Sequence, residues 1–136
     1  MKWLQKLFGA APAAPAVTAS FRKETGGVYT LRIGGTLNKA TLDNIQAVAR
    51  HNIAAGAKDL KVLLILEDFR GWKRGEDWAD LEFFSQYEAC IARIAVVGEA
   101  RLEEETLLFL GAGRRRGDVR YFPPHYEGKA RAWLAE

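Results

Sequence analysis

The chain of 136 residues predicts a layered α/β domain with a mixed, mainly parallel sheet of four or five strands and about four helices. Three observations lead there. Two nearly continuous apolar runs, LKVLLIL at 60–66 and ARIAVV at 92–97, read as strands covered on both faces, as in the middle of a parallel sheet. The segments between the short strands carry apolar residues at helical spacing. Strands that alternate with such segments imply helices packed on a sheet through right-handed crossovers. The length suits one domain, and it is enough to bury a core without disulfide or metal staples.

The elements follow in chain order. Residues 1–8, MKWLQKLF, place Trp3, Leu4, Leu7 and Phe8 on one helical face, with Lys2, Gln5 and Lys6 on the other. Residues 9–19 are rich in alanine and proline and uncharged, which is the composition of a tether. The domain proper is expected over residues 20–136. Phe21–Thr25 and Val28–Ile33 flank Gly26-Gly27 and read as a hairpin, with Gly34-Gly35 ending the second strand. Asn38 or Thr41 can cap a helix running to about Ala55, with Leu42, Ile45, Val48, Ala49 and Ile53 as its buried stripe and Gly56 as its stop. After the strand at 60–66, Asp68–Gly75 reads as a loop. Glu76–Cys90 reads as a helix whose first turn is acidic, as the helix dipole favours. A third helix is expected over about Ala100–Leu110, a basic turn at Gly111–Gly117, a last strand at Asp118–Phe122 and a final helix reaching about Leu134.

Composition removes several function classes. A net charge of +3 is too small to indicate a nucleic-acid binder. The single cysteine, Cys90, excludes an intramolecular disulfide and a cysteine-rich zinc site, and it reads as a small buried hydrophobe. His51 and His125 have no nucleophile near them in sequence, so no catalytic residue, metal ligand or cofactor site is indicated. The GAGRRRG run follows a helix and precedes a strand, the reverse of a dinucleotide-binding loop. No apolar run approaches the roughly 20 residues of a membrane span. No secretory signal pattern is present, so a cytoplasmic protein is expected.

Several motifs occur in order between Leu64 and Leu134: DFRGW (Asp68–Trp72), DWADLEF (Asp77–Phe83), RIAVVG (Arg93–Gly98), VRYF (Val119–Phe122) and KARAWL (Lys129–Leu134). With GGTLNKATL (Gly34–Leu42) entering the first helix, they resemble the SpoIIAA-like family of the STAS superfamily. The resemblance implies a STAS-like sheet of four or five strands with about four helices. It also implies the roles of related domains, which act as anti-sigma-factor antagonists, transporter parts and sensor modules. In such antagonists a serine that opens the helix after the central strand is phosphorylated, which adds about two charges and rewrites a docking surface. Here no serine, threonine or tyrosine occurs from Leu66 to Phe84, so that switch is not inherited. Phe84 and Tyr87 also stand where the family commonly has glycine and histidine.

The sequence therefore points to a non-catalytic regulatory or binding module for a protein partner. The alternative is a small protein that binds a lipid or other apolar molecule at a membrane surface. Ligands of α/β sheets gather beyond the C-terminal strand ends. That places the candidate ligand or partner residues at Asp68, Arg70, Trp72, Lys73, Trp78, Phe84, Tyr87 and Gly98. In the plainer reading, Asp68 caps backbone amides and Trp72 packs on Trp78. Lys2, Trp3, Leu4, Leu7 and Phe8 are candidates for a reversible contact with the inner membrane surface or a partner groove. The oligomeric state is not legible.

Overall fold

A computed structural model of the protein describes residues 17–24, 26–53, 56–76, 78, 88–113 and 117–136. Five strands form one sheet in the order of the chain: β1 (Thr18–Lys23), β2 (Val28–Leu37), β3 (Leu60–Trp72), β4 (Ile91–Val97) and β5 (Asp118–Phe122). β1 and β2 pair antiparallel, and the other pairings are parallel. Three α-helices lie among the described residues: α1 (Lys39–Asn52), α2 (Glu103–Phe109) and α3 (Glu127–Leu134). Short 3-10 turns at Glu88–Cys90 and Ala100–Leu102 precede β4 and α2. The mixed, mainly parallel architecture is the expected one.

β3 and β4 hold the core. They pair from Leu60↔Ile91 to Ile65↔Val97, and alternate residues face opposite layers. Leu60, Leu64, Leu66, Ile94 and Val96 turn to a face covered by α1 and by the ends of α2. Leu63, Ile65, Ala95 and Val97 turn to the other face, where Ala130 and Leu134 of α3 close over them. Full burial of each such large side chain stabilises the fold by about 1.5–3 kcal/mol. A cavity of about 80 Å³ remains under α1, walled by side chains that include Phe21, Leu31, Ile45, Gln46, Val62 and Leu110.

Several boundaries differ from the sequence expectation. β2 does not stop at Ile33 but runs through Gly34-Gly35 to Leu37. A Cβ on Gly34 would stand 2.5 Å from the Glu67 carbonyl, and Gly35 has a left-handed φ of 72° at a register shift. These glycines therefore make a bulge and a close strand approach, not a stop. β3 likewise continues to Trp72, where a loop was expected, because Asp68 (φ 50°) and Gly71 (φ 112°) absorb the irregularity. Aspartate is among the few residues that enter this region readily. β1 begins at Thr18, ahead of the expected Phe21. In α1, Asn38 is the cap and accepts from the Thr41 amide at 2.7 Å. Val48 is exposed and Gln46 takes the buried position, so the stripe is rotated. α1 ends at Asn52 with an extended Ile53, ahead of Gly56. Most of the expected Glu76–Cys90 helix lies outside the described residues, and its last three residues form the first 3-10 turn.

α3 is fastened across the sheet by charge as well as by apolar contact. Arg131 grips Glu24 with two hydrogen bonds, 2.6 and 3.2 Å, and Glu127 at 3.0 Å. Arg32 on β2 pairs with Glu67 and stands 3.6 Å from Glu127. The Arg131 guanidinium holds the Glu24 carboxyl below its ordinary pKa of 4.5. The carboxylate form is thus favoured in the folded state. Its contribution is complete above about pH 4.5 and fades as pH falls through the lowered folded value. Arg131→Ala should cost about 1–2 kcal/mol, the range of a well-formed but partly solvated ion pair. Urea titrations at pH 7 and pH 3 check this: the deficit should shrink at the lower pH, and Glu24→Gln should remove most of the pH dependence of the Arg131→Ala effect.

Candidate functional site

β3 outruns its neighbour. Its pairing with β4 ends at Ile65, while its pairing with β2 continues to Leu37↔Trp72. The span Leu66–Trp72 lies opposite Ile33–Leu37 of β2 across two register shifts, so it advances roughly 13 Å along the strand direction, at about 3.3 Å per residue of β2. It forms a ledge at the C-terminal edge of the sheet with its β4-side edge unpaired by strand. Arg101 reaches over that edge and donates to the Phe69 carbonyl at 2.9 Å. Lys73 leaves the ledge with its amide bonded to the Leu37 carbonyl at 2.8 Å.

Most of the candidates from the β3 end meet here. Asp68, Arg70 and Lys73 are exposed on the ledge, and Trp72 and Trp78 are half-buried beside it. Lys73 comes within 3.9 Å of Glu76. Trp72 packs edge-on to buried Phe69 at 5.1 Å and tilted on Phe109 of α2 at 5.3 Å. Trp78 reaches the same Phe109 at 6.0 Å and donates its indole N–H to the Lys73 carbonyl at 3.1 Å. The expected Trp72–Trp78 packing is thus mediated by Phe109, a residue that sequence reasoning left among ordinary helix positions. Trp72 Nε1 is buried without an acceptor among the described residues. Such a donor costs about 1–3 kcal/mol. Phe84 and Tyr87 lie outside the described residues, as do Lys2, Trp3, Leu4, Leu7 and Phe8.

Gly98 belongs to the frame of this edge. A Cβ there would sit 2.6 Å from the Tyr121 hydroxyl and 3.1 Å from Leu66. The missing side chain lets Tyr121 cross and donate to the Glu99 carbonyl at 2.7 Å. Burial, reinforced by Glu103 and Glu99, pushes the Tyr121 hydroxyl up to about 12. Arg101 pairs with Glu99 at 2.9 Å, so one residue ties the β4–α2 turn to the β3 ledge. Neither Arg101 nor Tyr121 was singled out in the sequence. The VRYF alternation was a usable signal for Tyr121.

The chemistry on offer is recognition: exposed charges of both signs above an aromatic base. Among the described residues no three His, Cys, Asp or Glu side chains are grouped to hold a metal ion. His51 and His125 are exposed and far from the ledge in sequence, and Cys90 is partly buried. No helix among the described residues is long and apolar enough to cross a membrane.

Comparison with known proteins gives a consistent family. The family model described as SpoIIAA-like matches residues 28–135, from the start of β2 through α3. A solved structure with the same architecture is the crystal structure of an uncharacterized protein from the DUF3478 family with a SpoIIAA-like fold, from Shewanella loihica PV-4. It superposes with a TM-score of 0.65 at 15% identity, covering 88% of this chain and 94% of that one. No curated protein matches.

Four variants test the packing of the edge. Gly98→Ala should destabilise by about 1–3 kcal/mol through overpacking, and Tyr121→Phe in the same chain should recover part of that loss by removing the clashing oxygen. Trp72→Phe should be nearly neutral, because it keeps a ring and removes the unsatisfied donor. Trp72→Ala should cost about 3–5 kcal/mol. Chemical denaturation of the four variants reads all of these outcomes.

Proposed function

The chain belongs to the SpoIIAA-like family, and from that premise we propose that it is a regulatory module that docks a folded protein partner on the β3 ledge. The observation that carries this reading is the projection of Leu66–Trp72 beyond the strand pairing of β4, with Asp68 and Arg70 exposed on it. A rigid strand held on one side only offers fixed charges and a backbone edge, while aromatic packing beneath it limits the ordering cost of binding. The fold suits a binding or regulatory role, and the exposed charges give the ledge a means of choosing among partners. Without a serine, threonine or tyrosine between Leu66 and Phe84, control of docking rests on partner availability and not on phosphorylation of that segment.

Affinity capture with the full chain and quantitative mass spectrometry tests this. A partner enriched by the wild type should fall about tenfold or more with Arg70→Glu plus Lys73→Glu, as expected for loss and reversal of interface charge. It should be retained with Val48→Ser, at an exposed position of α1. Equal recovery with the charge-reversed chain counts against the ledge.

A second reading draws on the apolar cavity under α1. Its volume of about 80 Å³ is well below the roughly 300–1,000 Å³ of common ligand pockets, so the guest would be a short apolar molecule or the end of a longer one. With residues 1–8 as a membrane contact, this gives a small carrier at a membrane surface. Native mass spectrometry of the fresh protein should then show a bound apolar molecule, and vesicle binding should be lost on deleting residues 1–8. An empty protein with no vesicle binding removes this reading.

A further inference from the structure

The face of the sheet under α3 divides into two sets of charge. On the β2 side every arginine meets carboxylates: Arg32 pairs with Glu67 and Glu127, and Arg131 with Glu24 and Glu127. A second set lies on the β3–β5 side near the strand N-termini, at the opposite end of β3 from the ledge. Lys61 on β3 and Arg93 on β4 are register partners, and Arg93 is the register partner of Asp118 on β5. One step along the same face, Ala95 pairs with Arg120. Alternation places Lys61, Arg93 and Arg120 on the side that buries Leu63, Ala95 and Val97.

These cations are positioned but not neutralised. Arg93 donates to the Trp133 carbonyl at 2.6 Å and stacks over the Trp133 ring at 5.2 Å. Arg120 stands over the same ring at 5.8 Å and over Phe122 at 5.9 Å. Trp133 thus draws two guanidinium groups to one indole. Among the described residues, Lys61, Arg93 and Arg120 have no carboxylate within ion-pair distance. The acidic groups in the neighbourhood are Asp118, exposed at the start of β5, Glu136, whose amide bonds to the Trp133 carbonyl at 3.3 Å, and Glu24, whose amide bonds to the carbonyl of Val28, the register partner of Lys61, and whose carboxylate is held by Arg131. Like charges gathered on a partly buried face repel one another, and a bound anion relieves that repulsion.

We propose that Arg93 and Arg120 around Trp133, with Lys61 beside Arg93 on the neighbouring strand, form an oxyanion site that takes a phosphoryl group. A phosphoryl group carries up to two charges and several acceptor oxygens. That suits guanidinium forks held at fixed orientation together with an ammonium point charge. The indole beneath supplies the apolar floor that keeps the guanidinium groups from turning back to solvent. The site is separate from the ledge in place and in chemistry, so the outcome at one does not decide the other.

The test is a nuclear magnetic resonance titration of the full chain with inorganic phosphate, at ionic strength held constant with chloride. The Trp133 indole N–H and the Arg93 and Arg120 Nε–H signals should shift and saturate. Arg120→Gln plus Lys61→Gln should weaken binding about tenfold or more while leaving the melting temperature nearly unchanged. A parallel arm uses phosphatidylcholine vesicles with and without phosphatidic acid. Response to free phosphate assigns a soluble ligand, and response only to phosphatidic acid assigns a lipid-borne one. Shifts that do not saturate, or undiminished binding in the double variant, with no phosphatidic acid response, overturn the site.

Discussion

The burial of β3 and β4 on both faces is the constraint from which the rest follows. Ala95, Val96 and Leu63 have no solvent exposure, and a strand so covered demands a helical layer above and below it. α1 and α2 supply one layer and α3 supplies the other. β2, β3, β4 and β5 are parallel neighbours in chain order, and α1 and α2 lie on the return paths from β2 to β3 and from β4 to β5. All their C-terminal ends collect on one edge, and the ledge stands there because β3 is longer than β4, not because a loop has been added.

Charge is organised around this apolar centre in two different ways. Along the β2 side of the α3 face, opposite charges alternate from Glu67 through Arg32, Glu127 and Arg131 to Glu24. That chain joins β3, β2, the hairpin turn and the last helix, and it adds orientation to the non-directional contact made by Ala130 and Leu134. At the ledge and below Trp133, in contrast, cations stand with little or no neutralisation among the described residues. A fold that pairs its charges where a helix must be located, and leaves others open elsewhere, separates structural electrostatics from groups free to meet another molecule.

Much of the fold was legible in the sequence because its strongest signals were physical ones. LKVLLIL and ARIAVV are too apolar and too short to be anything but covered strands, and they do lie side by side. Asn38 was readable as a cap because its side chain can replace a missing acceptor at the helix start. Glycine was the misleading signal. Gly34-Gly35 and Gly71 were read as breaks, yet each lies within a strand whose partner bends with it. A single sequence cannot distinguish a glycine that ends a strand from one that lets two strands approach. Of the candidate site, Asp68, Arg70, Trp72 and Lys73 are close because they are neighbours in sequence. Phe109 and Arg101 join them only through tertiary packing, which periodicity does not encode. The Arg93–Trp133–Arg120 stack was hidden for the same reason: it unites two strands and a helix.

Native-state hydrogen exchange reports the stability of each strand segment separately. The slowest amides are expected at Leu63–Ile65 and Ala95–Val97, opening only with global unfolding. Faster exchange is expected along Glu67–Gly71, where β3 has strand β2 on one side alone. Rapid exchange at Leu63–Ile65 or Ala95–Val97 would contradict this, because the doubly covered pair that supports both the ledge and the α3 face would then not be the core of the molecule.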